Sequence, residues 1–110
     1  MEYNKGYVYL ICDANNNKFK IGMTKKSIEK RIKELQTGNA NELHIANYHQ
    51  TFYPYCVENM LHKYFSDKNV INEWYDLTMN DIASFNDVCD KIEEDIQVLK
   101  DNPFFKKHLH

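Results

Sequence analysis

Five polar side chains stand off the apolar stripes of this 110-residue chain. They are Tyr9, Lys20, Arg31, Glu58 and His62. Tyr9 lies inside the apolar run YVYLIC, and Lys20 lies between Phe19 and Ile21, which must point the other way. Placed opposite each other in a hairpin, Tyr9 and Lys20 leave one face of the sheet together. Arg31 precedes Ile32 on the flank of a helix stripe, and Glu58 and His62 share a helix face at i, i+4. A phenol, an ammonium, a guanidinium, an imidazole and a carboxylate could thus border one hollow, where they could hold an anion and move a proton. Each also has a plain structural reading: a satisfied core tyrosine, a solvated hairpin lysine, one cation of an exposed face, and a surface pair worth a few tenths of a kcal/mol.

Charge segregation bears on the choice. Net charge is −2, which argues against a general nucleic-acid coat, but residues 18–34 carry seven Lys/Arg against Glu29 and Glu34. Residues 73–102 carry nine Asp/Glu against Lys91 and Lys100. Such an arrangement steers a polyanion to one face and off another, or joins two solvated helix faces of opposite sign.

The elements that must position these groups follow from pattern. Residues 7–12 read as a buried central strand, Asp13 to Asn17 as a turn, and residues 19–23 as the return strand. Gly22 bends that strand or lets another group approach its backbone. Thr24 or Ser27 caps a helix with Ile28, Ile32 and Leu35 as its stripe, and Gly38 stops it. Residues 44–52 make a more polar edge strand, and Pro54 breaks the pattern. A second helix runs from about Cys56 to Phe65, with Val57, Leu61 and Tyr64 inward. Residues 69–76 are a short extended segment, and Met79 to about Lys100 is a long amphipathic helix ahead of Pro103. The predicted class is α+β in one domain, with residues 1–78 as the body and 79–110 packing on it. A chain this long buries roughly two-thirds of its unfolded surface.

Cys12, Cys56 and Cys89 are far apart, odd in number and form no CxxC pair, which argues against a disulfide framework or a structural zinc site and points to a reducing compartment. The start MEYNKGY lacks a signal-peptide pattern, and no apolar run is long enough to span a bilayer. An intracellular protein without membrane partners is expected.

GYVYL, KIGMT, KRIKEL, VENMLHKYF and NEWYDL, in that order, resemble the GIY-YIG nuclease superfamily over about residues 6–78. The form is that of phages and large DNA viruses, where the second motif reads KIG. The resemblance implies a small three-stranded antiparallel sheet flanked by helices. It also implies a metal-dependent endonuclease acting on nucleic acid, with DNA the expected substrate. By position, Tyr9 matches the tyrosine of the first motif, and Lys20 replaces that of the second, which Ile21 and Gly22 complete. Arg31 matches the helix arginine and Glu58 the metal-holding carboxylate. His62 and the Glu73-Trp74-Tyr75 segment match further features of the branch.

On that reading Arg31 stabilises charge on the nonbridging phosphate oxygens. Glu58 binds one Mg²⁺ or Mn²⁺, and Tyr9 orients or deprotonates water. Lys20, a cation at its ordinary pKa of roughly 10.4, clamps phosphate or, if buried, acts as base. Gly22, Lys25, Lys26, Lys30 and Trp74 contact the strand. Two alternatives stand beside this: a non-cleaving nucleic-acid-binding module, and an interaction protein whose helix 79–100 closes the core or pairs in a homodimer. His108 and His110 receive no role.

Overall fold

Strict alternation along the first two strands builds the molecule in three layers. In the computed structural model, which describes residues 5–100, β1 (Gly6–Asp13) and β2 (Lys18–Thr24) form an antiparallel hairpin. Val8, Leu10, Phe19 and Ile21 point to one face, and Tyr7, Tyr9 and Ile11 to the other. Helix α1 (Ile28–Thr37) covers the second face with Ile28, Ile32 and Leu35, over Tyr9, Ile11 and Leu43. Helices α2 (Pro54–Tyr64) and α3 (Met79–Lys100) cover the first, where Val57, Leu61, Phe85, Cys89, Ile92 and Ile96 close the main core. The stripe of α3 is therefore used within the chain.

The sheet has five strands in the order β3-β1-β2-β5-β4, all pairs antiparallel. The expected three are its larger part, with β3 (Leu43–Thr51) at one edge as predicted. The extended segment 69–76 corrects the count. It folds back at Asn72, whose φ of 50° is a left-handed turn conformation, into β4 (Asn69–Ile71) and β5 (Trp74–Tyr75). β5 meets β2 only at Phe19 and Lys20, so among the described residues β2 beyond Ile21 has no strand on that side.

Hairpin register also differs from expectation. Tyr9 pairs with Gly22, and Lys20 with Ile11. The connection is four residues long, Ala14 to Asn17, and closes at Asn17 with φ 53°. Asp13 fixes it by accepting hydrogen bonds from the Asn15 and Asn16 amides and the Asn16 and Asn41 side chains. A slip of two residues preserves the side-chain face, so Tyr9 and Lys20 still share one. β3 contains a bulge: Leu10 pairs with Asn47 and Ile11 with Ile45, which leaves Ala46 over.

Helix limits follow capping chemistry. Ser27 is the N-cap of α1, its Oγ accepting the Lys30 amide at 3.2 Å, while Thr24 Oγ1 accepts the Lys26 amide. Pro54 does not break the pattern but opens α2, since a first-turn residue needs no N–H and suits the fixed φ of proline. Tyr64 is 61% exposed, and Phe65, two turns on from Val57, takes the inward place assigned to it. His108 and His110 lie outside the described residues. No described helix is long and apolar enough to cross a membrane.

Candidate functional site

The uncovered stretch of β2 is where the polar groups gather. Gly22 lies under the Tyr9 ring so closely that a Cβ there would stand 2.4 Å from the hydroxyl and 2.6 Å from Cζ. The backbone approach that a glycine permits is thus used by a neighbouring side chain. Tyr9 itself is 1% exposed, and its hydroxyl accepts a hydrogen bond from Arg31 Nε at 3.3 Å. That bond, with Glu34 near by, holds the guanidinium still more firmly protonated. Arg31 Nη1 also lies 3.6 Å from Glu34.

Lys20 projects from the next inward position of β2. Its Nζ donates to Glu73 Oε2 at 2.8 Å and sits 5.8 Å from the Trp74 ring centre. From the opposite layer α2 reaches round the strand edge. His62 Nε2 lies 3.2 Å from the Ile21 carbonyl, the acceptor left free where β5 ends. A carbonyl can only accept, so Nε2 carries a proton, and Nδ1 of a neutral ring accepts from the Tyr75 hydroxyl at 2.9 Å. Tyr75 is 2% exposed and packed in the core, which fixes the imidazole plane.

Glu58, one turn before His62, is half-buried, with its Oε2 3.9 Å from His62 Nε2. Burial pushes its carboxyl above the usual carboxylate range, and the Glu73 charge adds to this; Lys20 and Arg31 pull the other way. Glu58 therefore feels Glu73, Lys20 and Arg31 at once. The five residues singled out by type meet around one strand edge.

The substrate-contact residues are more dispersed. Trp74 packs beside Ile11 and Tyr9. Lys26 donates to Glu34 at 2.6 Å and so joins the group through an acid that Arg31 also meets. Lys30 is exposed on the same flank of α1. Lys25 turns instead to Tyr55, its Nζ 5.3 Å from that ring.

Donor atoms of Glu58, His62 and Glu73 all lie within 4.8 Å of one another. The two carboxylates offer oxygens that suit a divalent cation, whereas both His62 nitrogens are already hydrogen-bonded. Glu73 and Tyr75 had no assigned role in the sequence reading. Their signal was the NEWYD segment itself, whose short-range fold-back brings an acid to β2. A second group, His49, Asp90 and Glu93, also has donor atoms close enough for a metal. It reads as a clamp between β3 and α3. The Asn86 amide donates to the Tyr48 carbonyl and presents its nitrogen 3.5 Å from His49 Nδ1, which directs Nε2–H at Glu93.

The sequence profile of the T5orf172 domain matches residues 6–96. No curated protein and no solved structure matches the chain. The profile begins at the first residue of β1 and runs through Ile96, the last buried position of α3 among the described residues, so it takes in every described strand, α1, α2 and the core-forming part of α3. On that match the chain belongs to the T5orf172 domain family.

Proposed function

We propose that this chain is a metal-dependent nuclease of GIY-YIG type that hydrolyses phosphodiester bonds of nucleic acid, DNA being the expected substrate. The family is often associated with nucleic-acid-related functions. The observation that carries the reading is the edge of β2, where one arginine, one lysine and two carboxylates converge beside His62. Lone surface ion pairs do not need such an arrangement, and a half-buried Glu58 beside a second carboxylate costs stability unless a cation or proton compensates it.

The roles divide by geometry. Glu58 and Glu73 would hold one Mg²⁺ or Mn²⁺, which when bound polarises phosphate and offsets charge on the leaving oxygen, while His62, both ring nitrogens engaged, fixes the strand edge beside them. Arg31 presents its guanidinium to the nonbridging oxygens, where negative charge grows in the transition state. Tyr9 differs from the role that the resemblance implies. Its hydroxyl is buried and already accepts from Arg31, so it aims the guanidinium, and water activation falls to groups at the open edge. Lys20 sits beside the same edge as a phosphate clamp, with Glu73 as its present partner.

Incubation with labelled single-stranded and duplex DNA and with RNA, in Mg²⁺ and then Mn²⁺, tests the proposal. Cleavage by the wild type is expected. Loss of about 10²–10³-fold in rate is expected for Arg31→Lys and for Glu58→Gln, with binding retained. Intact substrate in every arm with folded wild type refutes it.

A further inference from the structure

We infer that the sheet end next to the candidate site is a stacking platform for single-stranded nucleic acid, which the chain holds by its bases before the β2 edge acts on the backbone. This deepens the reading above and rests on it only for the ligand's class.

The platform is built where three strand ends meet. Tyr7 faces outward on the α1 side of β1, its ring 6.1 Å from that of Tyr48 across β3, in an edge-to-face arrangement. Tyr48 is the cross-strand partner of Tyr9, whose hydroxyl holds Arg31, so the platform abuts the site. Phe52 follows at the end of β3 and Tyr55 in the first turn of α2. Gly6 fixes that corner, lying so close to Pro54 and the Thr24 carbonyl that a Cβ would meet both within 3 Å. Tyr48, Phe52 and Tyr55 are 51%, 48% and 61% exposed, three large rings whose exposure folding alone does not require.

Charge identifies the occupant. Lys5 Nζ lies 5.2 Å from the Phe52 ring and Lys25 Nζ 5.3 Å from the Tyr55 ring, so two of the exposed rings carry an ammonium. Residues 5–8, 22–27 and 48–56, which build the corner, contain no Asp or Glu and three lysines, of which Lys26 is paired with Glu34. The N-terminus of α2 points into the same corner with no acidic residue in its first turn and no side-chain cap, so its dipole favours an anion there. Rings interleaved with cations match an unpaired strand, whose bases stack while its phosphates meet ammonium groups. A duplex hides its base faces and gains nothing from the rings.

Fluorescence anisotropy in EDTA reads binding without cleavage. The probes are labelled dT and U oligomers of about 15 nucleotides, a length that spans a stacking groove, and a mixed-sequence duplex of the same length. The full chain is expected to bind the single strands more tightly, and the dT and U arms show which sugar is preferred. Tyr48→Ala, Phe52→Ala and Tyr55→Ala should each weaken single-strand binding roughly five- to 100-fold, and Tyr48→Trp should restore it. Tyr64→Ala, an exposed ring on the α3 side of α2, should change nothing. All four positions are exposed, and circular dichroism confirms that the variants fold. Duplex bound as tightly as single strand, or alanine variants within about twofold of wild type, overturns the inference, since a stacked base contributes more than that. Single-strand binding that depends on the rings without any cleavage leaves the platform standing and sinks the nuclease reading. Cleavage confined to duplex with inert rings does the reverse.

Discussion

Substituting Gly22 by alanine isolates the contact on which the site's geometry turns. The added Cβ would lie 2.4 Å from the Tyr9 hydroxyl oxygen, 2.6 Å from Cζ and 2.8 Å from Cε1, against an ordinary contact of 3.4 Å or more. The ring must therefore retreat by about 1 Å. It has little room, because Tyr9 is 1% exposed and packed among Ile11, Ile28 and Leu43. Overpacking of this kind costs roughly 1–3 kcal/mol, and an overlap with a buried ring belongs at the upper end. Removing glycine from a strand returns about 0.4–1 kcal/mol of unfolded-state entropy. A net loss of about 2 kcal/mol is expected, read as a lower urea midpoint at unchanged slope. The loss should couple to Tyr9. Tyr9→Leu removes the atoms that clash, so Gly22→Ala introduced into that variant should cost little, a coupling of about 1–2 kcal/mol in the cycle. A neutral Gly22→Ala, or losses that simply add, would refute the packing argument and with it the aiming of Arg31 by Tyr9.

Asp13, 6% exposed and accepting four hydrogen bonds, is held below the usual carboxylate range chiefly by Asn41, with Asn16 and Asn15. A lowered pKa gives stability that is present above the unfolded value of 3.8 and lost as pH falls through the folded one. Asp13→Asn should therefore cost about 1–3 kcal/mol at pH 7 by urea titration, and flatten the acid limb below pH 3.8. Phe85, fully buried in the main core, should cost about 3–5 kcal/mol on truncation to alanine, and a smaller loss by the same titration would place α3 outside the core. The Cys89 thiol is buried and pushed up to about 12, so native protein should resist iodoacetamide there, with alkylation seen by mass spectrometry only after denaturation.

Much of the fold was legible because alternation and stripes leave little choice. YVYLIC reads as a buried strand, and the spacing of Ile82, Phe85, Cys89, Ile92 and Ile96 places α3 and its inward face. Local chemistry at the turns was less so. Whether Asp13 to Asn17 closes over two residues or four depends on Asp13 reaching Asn41, a partner 28 positions away. Pro54 carries opposite meanings inside a helix and at its first residue, and only the context of Tyr53 decides. In the site, residue types pointed to Arg31, Glu58 and His62, because their positions beside a stripe are fixed by helix geometry. Glu73 and Tyr75 escaped assignment because their place depends on a two-residue strand, too short for any period to reveal. The partner of the Tyr9 hydroxyl was equally hidden, since a mid-strand tyrosine reads the same whether that group meets water or a guanidinium.

The bulge at Ala46 has a consequence for how this chain can change length. Ala46 and Asn47 both turn toward the α2 and α3 side, and on either side of them the strand keeps its facing: Ile45 opposite Ile11, Tyr48 opposite Tyr9. Losing the codon for Ala46 would leave a regular ladder in which every other residue of β3 still faces as before. A one-residue loss elsewhere in that strand would exchange inside for outside until the surplus residue was absorbed. The position is a surplus residue of the edge strand, and its deletion is expected to leave the architecture unchanged.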